Sequence, residues 1–184
     1  MMAGSPLMTG FIAAGLLLIV AAGAVAGYAA TRPDTFRIER SIRIAAPPEK
    51  IFALIGDFKN WEAWSPWEKK DPDMKRLYSG PPRGKGARYE WEGNRNIGHG
   101  RMEVTNAVSP SALDIDLEFF SPMKARHKAE FRLTPEGEAT HVTWAMYGTQ
   151  NFTGKLISVF MSMEKMVGPD FEAGLSALKA IAEN

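Results

Sequence analysis

Two neighbouring stretches decide the fold: LDIDLEF, from Leu113 to Phe119, and KARHKAEFRL, from Lys124 to Leu133. In the first, Leu113, Ile115, Leu117 and Phe119 alternate with Asp114, Asp116 and Glu118. In the second, Ala125, His127, Ala129, Phe131 and Leu133 alternate with Lys124, Arg126, Lys128, Glu130 and Arg132. Successive side chains of a strand point to opposite faces, so each stretch is a strand with one apolar and one charged face. The gap between them is far too short for the crossover that parallel strands need, so they pair antiparallel.

Working outward, the turn Pro135-Glu136-Gly137-Glu138 leads to another strand, with Val142, Trp144 and Met146 opposed by His141, Thr143, Ala145 and Tyr147. Upstream, Tyr89 and Trp91 alternate with Arg88, Glu90 and Glu92, and residues 97–107 supply a further strand. Thr35 to Ala45 reads as the first strand, with Phe36, Ile38, Ser41, Ile42 and Ile44 on one face. Keeping that set together requires an irregularity near Arg40 and Ser41. Pro47 and Pro48 suit a helix start, and Ile51, Phe52, Leu54 and Ile55 form its apolar stripe. A closing helix runs from Gly154 to Glu183, and Gly168-Pro169 is expected to kink or interrupt it, because proline lacks the amide donor and clashes with the preceding turn. The fold class is α+β, a curved antiparallel sheet with a long C-terminal helix over it.

All 22 Lys and Arg and all 21 Asp and Glu of the 184 residues lie after Thr31. The uncharged run from Gly10 to Ala30 would span about 31 Å as a helix, enough for a bilayer core. The expected organisation is an N-terminal transmembrane anchor over 1–31, a linker over 32–35 and a single domain over 36–184. A cleaved signal peptide is the competing reading, but no Lys or Arg precedes the apolar run, where a secretory leader is normally positive. Gly23 and Gly27 form a GxxxG pair that would let another helix approach closely. Arg32, Arg37, Arg40 and Arg43 follow the span and none precedes it, so the positive-inside rule favours a single-pass protein with a cytoplasmic domain.

The stretches IERSIRIAAPPEKIFALIGDFKNWEAWSPW, from Ile38 to Trp67, KKDPDMKRLYSGPPRGKGARYEWEGN and the closing MVGPDFEAGLSALKAIAE carry a resemblance. Together they resemble the polyketide cyclase/dehydrase group of the START/Bet v 1-like (SRPBCC) superfamily. The likeness covers roughly residues 35 to 183. It implies a helix-grip fold, a seven-stranded antiparallel sheet wrapped around the long helix, with a cavity that takes apolar ligands in many relatives. It brings no shared catalytic set onto this chain.

Composition removes several chemistries. A formal charge of +1 offers no basic field for nucleic acid, and the absence of cysteine rules out thiol catalysis and Cys-ligated metal. The histidines, His99, His127 and His141, show no paired metal-ligand spacing, so no metal or cofactor is expected. His99 and His141 fall on outward faces. His127 sits in an inward register, and with Tyr89 it is the best local guess for acid/base chemistry. The expected ligand-lining residues are Tyr89, Trp91, Met102, Leu117, Phe119, His127, Trp144, Met146 and, on the closing helix, Met163. Trp61, Trp64 and Trp67 recur every third position but cannot all be deeply buried on one face, so at least one is expected at a pocket rim, the bilayer or a partner. Lys69, Lys70, Lys75 and Arg76 around Asp71 and Asp73 read as a solvated loop.

These readings converge on a membrane-anchored protein, leaning away from enzymatic activity, that binds a hydrophobic small molecule or lipid between sheet and C-terminal helix. The alternatives are an accessory subunit of a larger membrane protein complex, and a cyclase- or hydrolase-like enzyme acting on an aromatic or acyl substrate.

Overall fold

The computed structural model describes residues 6–184, so the first five residues of the expected anchor lie outside the described residues. Helix α1 (Pro6–Thr31) comes first, followed by β1 (Thr35–Ile44), α2 (Pro48–Ile55), a 3-10 turn (Phe58–Asn60), α3 (Trp61–Trp64) and α4 (Pro66–Lys70). Strands β2 (Lys75–Ser79), β3 (Arg88–Glu92), β4 (His99–Val108), β5 (Ala112–Ser121), β6 (Ala125–Glu136) and β7 (Ala139–Thr149) follow, and α5 (Phe152–Phe160) and α6 (Met163–Ala182) close the chain. It divides into two compact units. One joins α1 and its exit, as far as Asp34, to residues 150–162; the other comprises 35–149 and 163–184.

In the first unit, residues 10–31 form a helix long and apolar enough to cross a membrane. Phe11, Leu16, Leu17, Leu18, Ile19 and Val20 are all exposed. Asp34 ties the end of this segment to α5: its carboxylate pairs with Lys155, and its carbonyl accepts from the Gln150 amide at 2.8 Å.

The second unit is a helix-grip fold. Its strands form one antiparallel sheet in the order β1-β7-β6-β5-β4-β3-β2, a meander with the first strand added beside the last. Register pairs such as Phe131 with Trp144 and Ile115 with Ala129 stack the apolar faces predicted from alternation onto one side of the sheet. α6 covers that side with Phe171, Leu175 and Leu178, all buried. Gly174 is required by this packing, because a Cβ there would lie 2.8 Å from the Trp144 ring. The expected stripe of α2 is present, with Ile51 and Ile55 buried and Phe52 and Leu54 packed beside them.

Three sequence expectations are corrected. β1 pairs with β7 in unbroken register, with no irregularity at Arg40 and Ser41. Arg40 takes the inward position and donates to Glu164 and Glu172 of α6, while Ser41 faces outward against Thr143 at 2.9 Å. A charge is tolerated on the inward face because two carboxylates and partial exposure offset its desolvation.

The closing helix breaks at 161–162, where Met161 is extended, and not at Gly168-Pro169. α6 runs on through Pro169, with Glu164 before it and Glu172 after it both held by Arg40. The guanidinium packs over Gly168, where a Cβ would lie 2.4 Å from one of its nitrogens.

The third correction concerns β2. KRLYS was legible only as part of a charged loop, because an edge strand with exposed Lys75, Leu77 and Ser79 shows no continuous apolar face.

Candidate ligand-binding site

One cross-strand row runs through all seven strands on the inward face: Phe36, Gly148, His127, Leu117, Met102, Tyr89 and Tyr78 stand opposite one another in register. Its two ends differ in chemistry. At the β3 end, Tyr89 and Met102 are buried. The Tyr89 hydroxyl donates to Glu68 Oε1 at 2.6 Å, and Arg76 Nε donates to Glu68 Oε2 at 2.8 Å. Arg76 also donates to the carbonyls of Pro72 and Met74. Glu68 is only 6% exposed, so this carboxylate is a buried charge with partners on both oxygens. Tyr78 stacks on Tyr89 with ring centroids 5.1 Å apart. Burial, reinforced by the Glu68 charge, holds the Tyr89 phenol well above the ordinary range and pushes Tyr78 up to about 12.

The sequence reading missed this network. Glu68 and Arg76 look like members of a charged loop, and the decisive partner, Tyr89, lies on another element 21 residues beyond Glu68.

At the β6 end the row is more open. His127 is half-buried, with the Phe36 ring edge-on at 4.8 Å and the Phe119 ring at 6.0 Å. Its Nδ1 is buried without a hydrogen-bond partner among the described residues and lies over Gly148, where a Cβ would approach to 2.5 Å. Burial pushes the imidazole below its ordinary value, opposed in part by the Arg126 backbone. The neutral ring is therefore favoured at pH 7.

A base whose folded pKa is depressed contributes stability that is present above its unfolded value, near 6.5, and lost as pH falls below it. Thermal melts at pH 7 and pH 5 should accordingly show a larger acid-induced loss for the wild type than for His127→Phe. An equal loss in both proteins would remove His127 as a titrating group.

Three strand spacings separate His127 from Tyr89, about 14 Å. The two are thus too far apart to exchange a proton, and Tyr89 is already engaged by Glu68. The expected His127–Tyr89 acid/base pair is corrected accordingly.

The other expected lining residues divide by depth. Trp91, Trp144 and Met146 are buried in the core, where Trp144 stacks on Phe171 at 4.1 Å. Leu117, Phe119 and Met163 are only partly buried against it. Trp61 and Trp64 are also buried, donating their indole N–H groups to the carbonyls of Ile55 and Leu54. Trp67 is half-buried against Trp144 and Phe171. Bilayer or partner contact at Trp61 and Trp64 is therefore corrected: short helical segments on either side of Pro66 let all three rings reach one core. Gly23 and Gly27 lie in α1 with open space beside them.

Arg37, Arg40 and Arg43 belong to β1 and pair with carboxylates, which leaves Arg32 as the cation at the end of the apolar span. His99 contacts Glu90 at 3.1 Å and His141 lies 4.0 Å from Glu136. Among the described residues no group of three His, Asp or Glu side chains converges as a metal site.

A concavity of about 830 Å³ spans β1, β7, β6, β5 and β4. Ten of its fourteen lining residues, among them Arg37, Arg101, Asp116, Lys128 and Tyr147, face outward, and only Phe36, Leu117, His127 and Gly148 belong to the inward row. No residue of α6 lines it, so it is not the expected cavity between sheet and closing helix. Its border thus offers an apolar portion and a nearly balanced set of charges.

Similarity to known proteins agrees with this architecture. Residues 35–183 match the family described as polyketide cyclase / dehydrase and lipid transport. No curated protein matches the chain. Among solved structures, protein CV1439 from Chromobacterium violaceum is 14% identical with a TM-score of 0.58, over 83% of this chain and 99% of its own. The Aha1 protein of Colwellia psychrerythraea is 18% identical with a TM-score of 0.56, over 80% and 96%. StfQ, a di-domain ARO/CYC protein of the steffimycin biosynthetic pathway, is 12% identical with a TM-score of 0.61, over 81% of this chain and 51% of its own. At such identities the likeness speaks for the fold alone. The sheet, the long closing helix and the match across residues 35–183 together place this chain in the polyketide cyclase / dehydrase and lipid transport family.

Proposed function

We propose that the protein is a membrane-anchored, non-catalytic binder of a hydrophobic small molecule, of lipid or isoprenoid type, held at the His127 end of the inward sheet face. The observation that carries this reading is the contrast along one row. Tyr89 and Met102 are sealed, whereas Phe36, Leu117 and His127 are only partly buried. A neutral imidazole between two aromatic rings suits a ligand with one hydroxyl or carbonyl on an apolar body. Its Nδ1 is sealed over Gly148, which leaves Nε2 as the atom offered to such a group.

Burying about 300 Å² of apolar ligand surface contributes roughly 7 kcal/mol before ordering costs, enough for micromolar affinity without a charged anchor. The distance between His127 and Tyr89 supports binding over acid/base catalysis. The anchor reading rests on the uncharged apolar helix over residues 10–31, whose exit carries Tyr28 and Arg32, side chains suited to the headgroup level. An anchored domain would meet a membrane-resident ligand at high local concentration.

Native mass spectrometry and lipid extraction of the full chain, purified from its own membranes, test the proposal. A co-purifying apolar compound is expected. Phe119→Ala should weaken its binding about tenfold, the equivalent of roughly 1.4 kcal/mol of lost apolar contact. A folded preparation that carries no ligand and takes up no lipid or quinone would sink it.

A further inference from the structure

Helix α5 is built inside out. Its one buried residue is charged, Lys155 at 9% exposure, while Phe152 and Phe160 are 50% and 75% exposed and the adjoining Met161 is 51% exposed. A helix in water turns its charges outward and its large apolar side chains inward, so this pattern calls for a non-aqueous surrounding on the exposed side. The sequence around it agrees. From Asn151 to Ser162, NFTGKLISVFMS, the only ionisable side chain is Lys155, and its ammonium is paired with Asp34.

That pairing also fixes where α5 lies in the chain's first unit. Asp34 follows the end of α1 by three residues; it accepts from both Lys155 and the Gln150 amide, and the Gln150 side chain donates to the Pro33 carbonyl at 3.4 Å. The apolar helix is thus fastened to the point where α1 ends, beside Tyr28 and Arg32, whose guanidinium stands 5.9 Å from the Tyr28 ring.

We propose that α5 is a second membrane contact, lying at the bilayer surface with Phe152, Phe160 and Met161 in the boundary between headgroups and acyl chains. This rests on the reading of α1 as a membrane span. Continuity with that span favours lipid over a protein partner, because the Asp34 contacts hold α5 within reach of the headgroups wherever α1 is embedded. Neutralising Lys155 on Asp34 removes the one charge that would resist such a position.

The chain has no cysteine, so single reporters can be placed in the full-length protein. Phe160→Cys, Ile19→Cys in the middle of α1 and Lys128→Cys on the outward sheet face are each labelled with an environment-sensitive fluorophore. The labelled proteins are reconstituted into vesicles of phosphatidylcholine and phosphatidylglycerol and challenged with spin-labelled lipid or aqueous iodide. The expected result is lipid quenching at 19 and, by shallow spin labels, at 160. Iodide quenching should be several-fold weaker at 160 than at 128. A probe at 160 that behaves like the one at 128, while 19 is quenched by lipid, overturns the inference and leaves the span standing. Shielding of 160 from both quenchers overturns it in favour of a protein cover, such as a second copy. Loss of lipid quenching at 19 overturns the span itself.

Discussion

Replacing Trp144 with alanine is expected to lower the unfolding free energy by about 4 kcal/mol, the range for emptying a large aromatic site in a close-packed core. The ring is 2% exposed, stacked on Phe171 at 4.1 Å and on Phe131 at 5.0 Å, with Trp61, Trp64 and Trp67 edge-on around it. Those neighbours come from α3, α4, β6 and α6, too many separate elements to collapse together into the vacated volume. Trp144→Phe should lose much less. The indole N–H of Trp144 is buried without an acceptor among the described residues, so phenylalanine keeps most of the stacking and removes an unsatisfied donor. Urea unfolding of the detergent-solubilised full chain, followed by near-ultraviolet circular dichroism, gives both values. Equal losses for the two variants would show that a phenyl ring recovers neither the volume nor the stacking and that the indole itself is required.

The second large effect is expected at Glu68. Removing one partner of a buried, hydrogen-bonded ion pair costs about 3 kcal/mol or more, chiefly because the remaining charge is left without compensation. Glu68→Ala would leave the Arg76 guanidinium, whose side chain is 17% exposed, with the more exposed Glu62 at 3.2 Å as its remaining carboxylate, and the Tyr89 hydroxyl without its acceptor. Glu68→Gln retains a carbonyl oxygen for Tyr89 and should cost less. By contrast Lys75→Ala, which removes an exposed, solvent-screened pair with Glu92, should leave stability nearly unchanged. The same unfolding measurement orders the three. A loss at Glu68→Ala no larger than at Lys75→Ala would mean that water replaces the network without penalty.

Strand faces were legible because alternation is a property of adjacent residues. Ala129, Phe131, Val142 and Trp144 could be assigned inward without knowing any partner, and the sheet places them there. The resemblance carried by residues 38–67 and the closing segment extended that reading to the number of strands and the grip of the final helix. Arg40 shows where local pattern failed. An arginine at an inward position looks like a register fault until Glu164 and Glu172, more than a hundred residues away, are seen to receive it. Tyr89 failed in the same way. It was rightly placed inward, but its acceptor Glu68 belonged to a segment that reads as solvent.

Length, the uncharged head, the strand faces and the family were determined by the sequence by itself, since each depends on residue type at short range or on an ordered run of motifs. Which of the inward aromatic residues are enclosed and which are left partly uncovered was decided only by the tertiary structure. Trp144 and Phe119 carry the same signal in sequence, a bulky ring at an inward strand position. One is enclosed by rings from α3, α4 and α6, and the other is only partly covered beside His127. Filling is a sum of volumes delivered by remote segments, and no local pattern encodes where those segments meet. The inversion of α5 belongs to the same class: only the pairing of Lys155 with Asp34 shows which side of the helix is enclosed.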